Sequence, residues 1–234
     1  LFSTPIHAAH QIADLVRPLG YDLRITQLED GPFNGFFRTV ICGECVFLAL
    51  VTNKTVGIYG SRLMEYSLFG MYLDDFSKAE TLCHAHGHRP CAYWSSSFSP
   101  KHDETYCQLA PGVQMLVGYI PIKLLKEQTL VQREYDAFEA IVNREFAVFH
   151  PAPYERMLRM TWYRLLYPTA DPGRELAQQY VTQMFDCFNQ LDHMAVPKPS
   201  FKNTELAKEL FKVATDGHRK KLNINDVAKS LGTS

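Results

Sequence analysis

The feature that most constrains this chain is a change of apolar period near Lys123. Before it lie short runs rich in Val, Ile, Phe, Tyr and Leu: Tyr21–Leu28, Phe36–Val51, Thr55–Tyr59, Met64–Leu73, Cys91–Phe98, Glu104–Leu109 and Val113–Ile120. Turn signals such as Asp30-Gly31-Pro32, Thr52-Asn53-Lys54 and Pro111-Gly112 separate them. Many short strands at such spacing predict a β-sandwich or barrel over about 21–122. After Lys123 the apolar residues recur at steps of three and four, the spacing of one helix face. There are three stripes: Val131, Tyr135, Phe138, Val142, Phe146 and Phe149; then Tyr154, Met157, Leu158, Trp162, Leu165 and Leu166; then Leu176, Tyr180, Met184, Cys187, Phe188 and Leu191. Pro151 and Pro153 are expected to end the first, and Pro168 the second. At the N-terminus, Thr4 as cap and Pro5 at the first helical position predict a helix carrying Ile6, Ala9, Ala13 and Val16.

A chain of 234 residues, 46% apolar and 21% charged, can bury one sizeable core with an appendage. No apolar run approaches the roughly 20 residues needed to span a bilayer. Charge is unevenly placed. Lys198–Ser234 carries a net +4 and Leu1–Pro197 a net −5, so the tail is suited to an anionic partner. The chain begins at Leu1 without a basic-then-apolar signal segment and reads as a piece of a longer polypeptide. The six cysteines are expected to be reduced thiols of a cytoplasmic protein.

Several constellations bear on chemistry. Cys83-His84-Ala85-His86-Gly87-His88-Arg89-Pro90-Cys91 would place His84, His86 and His88 on one side of a strand, as candidate metal ligands. Cys42-Gly43-Glu44-Cys45 has the gap of a zinc ribbon but no second such pair. Buried, inert cysteine is the preferred reading, with redox sensing at Cys83, Cys91 or Cys107 as the alternative. No nucleophile elbow, phosphate-binding loop or dinucleotide fingerprint is present, so no catalytic residue and no cofactor are expected. Tyr59, Tyr66, Phe69, Tyr72, Tyr93 and Trp94 are candidates for the walls of a small-molecule pocket inside the barrel.

Pro197 and Pro199 mark His193–Phe201 as a linker, with the boundaries taken as 193–202 for the linker and 203–234 for a separate C-terminal segment. In that segment Leu206, Leu210, Val213 and Ala214 share a helix face. Asn223 then caps a second helix whose buried face is Ile224, Val227, Ala228 and Leu231, and Gly232 ends it. Helix, tight turn and capped helix is the layout of a helix-turn-helix.

The stretch Glu205–Ser234 resembles the opening of the DNA-binding domain of the AraC/XylS family of bacterial transcription regulators. The family's first helix-turn-helix reads L-T-x-x-x-[LIV]-A-x-x-[LV]-G-x-S. Leu222, Val227, Ala228, Leu231, Gly232 and Ser234 stand at its places, with Asn223 for the usual Thr. Gln27–Gly35 resembles the "Q-L-x-P-G-x-F-x-G" strand and turn of the family's sensor domains, in the group of the ethanolamine-utilisation regulator. Leu109-Ala110-Pro111-Gly112 sits where that group has a similar turn.

The resemblance implies an α+β chain. A cupin-like or jelly-roll β-barrel sensor domain and a helical dimerisation layer would fill 1–192, followed by the start of an all-α helix-turn-helix domain. It implies a DNA-binding transcription regulator rather than an enzyme. Its partners would be promoter DNA, a second copy of the chain and a small-molecule effector, with no membrane. Lys229, Thr233 and Ser234 would lie toward DNA, and Tyr180, Met184, Phe188 and Leu191 at the homodimer interface. Two alternatives stay open: a metal-dependent cupin enzyme, whose H-x-H lacks a nearby Glu here, and a regulator controlled by protein partners without a small ligand.

Overall fold

The computed structural model describes residues 2–61, 64–72, 83–85, 88–96, 98, 104–167 and 173–192. The linker, the helix-turn-helix stretch and the DNA-facing candidates Lys229, Thr233 and Ser234 lie outside the described residues. The strands are β1 (Phe2–Ile6), β2 (Asp22–Gln27), β3 (Gly35–Cys42), β4 (Cys45–Thr52), β5 (Val56–Ser61), β6 (Tyr66–Tyr72), β7 (His84–Ala85), β8 (Trp94–Ser96), β9 (Glu104–Leu109), β10 (Met115–Pro121) and β11 (Phe146–Val148). The helices are α1 (His10–Val16), α2 (Ile122–Gln132), α3 (Tyr135–Asn143), α4 (Pro151–Leu166) and α5 (Gly173–Asn189).

All pairings between these strands are antiparallel. One sheet runs β1-β3-β4-β10-β6, a second runs β2-β5-β9-β7, and β11 pairs with β8. The two larger sheets face each other without a hydrogen-bonded ladder joining them among the described residues. The expected barrel is therefore an open pair of sheets on this part of the chain.

The five-stranded sheet is buried on both faces, which explains why β4 (CVFLALVT) and β10 (MLVGYIP) read as nearly continuous apolar runs. Phe47, Ala49, Phe69, Met71, Leu116 and Ile120 pack outward into a core shared with the helices. Leu48, Leu50, Leu68, Tyr72, Val117 and Tyr119 pack inward against the second sheet. The period of two assigns alternate residues to each core.

Several expectations change. Thr4 and Pro5 do not start a helix: they lie in β1, an edge strand paired with β3. Proline is compatible with an edge, where no partner needs its missing N–H. The helix begins at His10, and the Gln11 side-chain oxygen accepts hydrogen bonds from the backbone N–H of His7 and Ala8 ahead of it. The single run Phe36–Val51 is two strands joined by a hairpin at Gly43-Glu44. Gly43 has φ +58°, the left-handed conformation required at the first turn position of a type II′ hairpin.

The first helical stripe is also divided. Arg133 has φ +62° and ends α2; α3 comes next, and Phe146 lies in β11. Val131 and Tyr135, 76% and 56% exposed, face away from the core. Leu124, Leu125, Gln128 and Thr129 are the residues α2 buries. Pro151 and Pro153 open α4 rather than only closing the preceding segment, consistent with proline's fit to a first helical turn. α4 spans the second stripe and α5 the third as far as Phe188, whereas Leu191 lies beyond the helix in a bridge with Phe149. α5 packs against α2, α3 and α4, and the layer covers the outer face of the five-stranded sheet.

Candidate functional site: a cavity between the sheets

The inward faces of the two sheets do not close completely. Between them is a cavity of about 90 Å³, within a pocket envelope of about 820 Å³ that includes its mouth. The inner residues of β4 (Leu48, Leu50), β10 (Met115, Val117, Tyr119) and β6 (Leu68, Gly70, Tyr72) form one wall. Leu23 and Ile25 of β2, Ile58 of β5, and Thr105 and Cys107 of β9 form the opposite wall. Ile12 and Val16 of α1 close one side.

Gly70 contributes to the space directly. In β6 it stands between Leu68 and Tyr72, where the period of two calls for an inward side chain, and supplies none. A Cβ built there would meet only the Ser96 carbonyl oxygen, at 3.9 Å. A glycine inside a strand often marks close approach by a ligand or another backbone. An interior glycine of this kind is the sequence signal that could have pointed to the cavity, although it was not singled out.

Two aromatic pairs belong to the lining. Tyr72 and Trp94 lie nearly parallel, ring centroids 6.3 Å apart at 17°. Tyr21 and Tyr119 meet edge-on at 4.9 Å. Trp94 is 1% exposed; its Nε1 is buried with no hydrogen-bond acceptor among the described residues. The Tyr154 hydroxyl donates to the Trp94 carbonyl oxygen at 3.1 Å, fixing β8 to α4.

Among the described residues, no side chain lining the cavity belongs to Asp, Glu, Lys, Arg or His. Burial raises the Tyr72 phenol well above its usual range. It pushes the Cys107 thiol up to about 12, so both stay neutral near pH 7. Cys107 is only half-buried because it lines this internal space.

Of the six aromatic residues predicted for the pocket, Tyr72 and Trp94 line it. The other four do not. Phe69 points the opposite way, onto Phe98 and Phe149. Tyr93 meets Tyr154 edge-on in the helical core. Tyr59 donates to Glu104 at an exposed position, 2.9 Å away, and Tyr66 pairs with Pro121 at the end of the ladder. Alternation explains Tyr59 and Phe69, whose strand neighbours Ile58, Leu68 and Gly70 face inward; Tyr66 shares the inward face of β6 but packs at the far end of the strand. Tyr21, Tyr119, Gly70 and Ile12 line the cavity but were not singled out by the sequence.

The face expected at a dimer interface is used inside the chain. Tyr180, Met184, Phe188 and Leu191 are all buried. Tyr180 packs edge-on against Phe47 at 4.6 Å, and Phe188 against Phe98 at 4.8 Å. Side chains with so little exposed surface have none left to bury against a second subunit, so their apolar spacing reflects the chain's own core.

The cysteine and histidine candidates do not assemble. The six cysteines are free thiols. Cys42 and Cys45 flank the hairpin turn of β3 and β4, and burial raises both, Cys45 to about 12. Desolvation also raises Cys83, despite a hydrogen bond from the Ala110 N–H. Raised thiol pKa values oppose thiolate reactivity. His88 pairs back onto Ala85 through reciprocal backbone hydrogen bonds, which interrupts a straight strand through the histidines. The His88 ring packs on Phe146 at 4.5 Å. His86 and the His84 side chain are outside the described residues, among which no group of three or more metal-binding side chains occurs. No described helix is long and apolar enough to cross a membrane.

The fold has a counterpart among solved structures. The crystal structure of the AraC-like transcriptional activator CuxR matches this chain with a TM-score of 0.51 at 12% identity, covering 100% of this chain and 85% of the other. A scan of protein-family models and a search of curated proteins both return no match.

Proposed function

We propose that this chain is the regulatory part of a bacterial transcription regulator of the AraC/XylS type. The observation that carries the reading is the fold match to an AraC-like transcriptional activator along the whole chain. The motif Leu222–Ser234 supports it independently, because it lies in sequence where a DNA-binding domain should begin. In this reading residues 1–192 form the sensor domain, 193–202 the linker, and 203–234 the opening of the helix-turn-helix domain. Lys229, Thr233 and Ser234 face promoter DNA. The protein acts in the cytoplasm as a homodimer whose contact surface is not the inner face of α5.

The cavity is the effector site, and the five-stranded sheet connects it to the helices. An effector acts by binding one arrangement of the paired domains more tightly than another. The metal-dependent enzyme alternative has less support, since no ligand cluster accompanies the cavity among the described residues.

The test is capture of bound DNA by the full-length protein in its own host. Enrichment of discrete promoter sites, lost on Lys229→Glu with the fold intact, is the expected result. Absence of enriched sites, or occupancy unchanged by that substitution, overturns the reading.

A further inference from the structure

The cavity's chemistry is restrictive enough to identify a ligand class. Its walls are aliphatic and aromatic, with Ser96 and Thr105 among the few polar side chains. A charged guest entering it would lose hydration and find no ionised partner among the described lining residues. The buried Trp94 N–H supplies a donor without an acceptor among the described residues. Leaving a buried donor unpaired is costly, so a guest bearing an acceptor has a defined place beside the indole. Gly70 leaves room for its apolar body on the five-stranded sheet.

We propose that this cavity takes an uncharged, predominantly apolar small molecule of about one ring's size, with a hydrogen-bond acceptor placed against the Trp94 indole. The inference rests on the regulator reading and names the class of effector for it. The two fail separately: absence of promoter sites would leave a positive ring-binding result standing, and failure of ring binding would leave a positive promoter result standing.

Three probes sharing one ring test the proposal: benzyl alcohol, benzoate and benzylammonium at neutral pH. The chain has two tryptophans, so Trp162→Phe leaves Trp94 as the sole indole reporter. Benzyl alcohol at millimolar concentration is expected to change Trp94 emission and raise the melting temperature. The two ions should bind at least about tenfold more weakly, reflecting their unpaired desolvation. Gly70→Val fills the space from the sheet side and should abolish binding while the protein stays folded. Trp94→Phe, followed by calorimetry, should weaken benzyl alcohol but leave toluene unchanged, a difference that general loss of structure does not produce. Failure of benzyl alcohol to bind, equal binding of either ion, or full binding to a folded Gly70→Val variant overturns the proposal.

Discussion

Gly118 offers a direct test of how α5 seats on the sheet. It lies in β10 between Phe47 of β4 and Phe69 of β6. Its missing side chain leaves a space filled by the Tyr180 ring. A Cβ there would meet the Tyr180 hydroxyl oxygen well inside contact distance and the ring's Cζ at 2.9 Å. The ring cannot easily move aside: Tyr180 is buried, edge-on to Phe47, and its hydroxyl accepts a hydrogen bond from Thr161 at 3.2 Å. Overpacking of this kind costs about 1–3 kcal/mol. Alanine also restricts the unfolded chain, which offsets about 0.4–1 kcal/mol. Gly118→Ala should therefore destabilise by about 1–2 kcal/mol, lowering the melting temperature by about 2–8 °C for a chain of this size. Urea and thermal unfolding give the two values. Tyr180→Phe removes the oxygen nearest the added Cβ, so the double variant should lose less than the sum of the singles, with a coupling of at least about 0.5 kcal/mol. An unchanged or stabilised Gly118→Ala, or strict additivity, would refute this packing.

Three further outcomes are expected. Phe188→Ala should cost about 3–5 kcal/mol in urea unfolding, because Phe188 packs on Phe98 and Phe149 within the chain; unchanged stability with a weakened dimer in sedimentation would return α5 to the interface. Leu130→Glu and Val131→Glu, at residues 70% and 76% exposed, should shift monomer stability by no more than about 0.5 kcal/mol, which the urea midpoint checks. Burial holds the Cys45 and Cys187 thiols up to about 12 in the folded protein. Their contribution is thus complete below about pH 9, where the unfolded thiols ionise, and is lost as pH rises toward the folded values. Above pH 9 the slope should approach about 1.4 kcal/mol per pH unit for each thiol, and a Cys45→Ala/Cys187→Ala variant should show a shallower decline in urea midpoints.

The sequence made some elements legible and hid others for physical reasons. The spans of β9, α4 and α5 are set by local period and turn residues. The hairpin inside Phe36–Val51 was hidden because both faces of β3 and β4 are largely buried, so their apolar runs join across Gly43-Glu44. The α2–α3 break was hidden because the left-handed residue is Arg133 rather than a glycine. Tyr72 and Trp94 were recognisable as pocket candidates by type, whereas Phe69 and Tyr93 required a strand direction and register to reject. Buried and intermolecular apolar stripes look alike in sequence, so the role of Tyr180 and Phe188 depended on what faces α5.

The five-stranded sheet belongs to two cores at once, which makes its central strand unusually intolerant of length changes. In β4, Phe47 and Ala49 serve the helical side, whereas Leu48 and Leu50 serve the cavity side. Inserting or deleting one residue there would exchange the two sets. Phe47 would be driven into the cavity while a leucine took its place beneath Tyr180. The same insertion between Gly43 and Glu44 would leave both strands in phase. Chain-length variation compatible with this architecture is thus confined to its hairpins, and an insertion scan across residues 40–52 should show tolerance at the turn and collapse on either side.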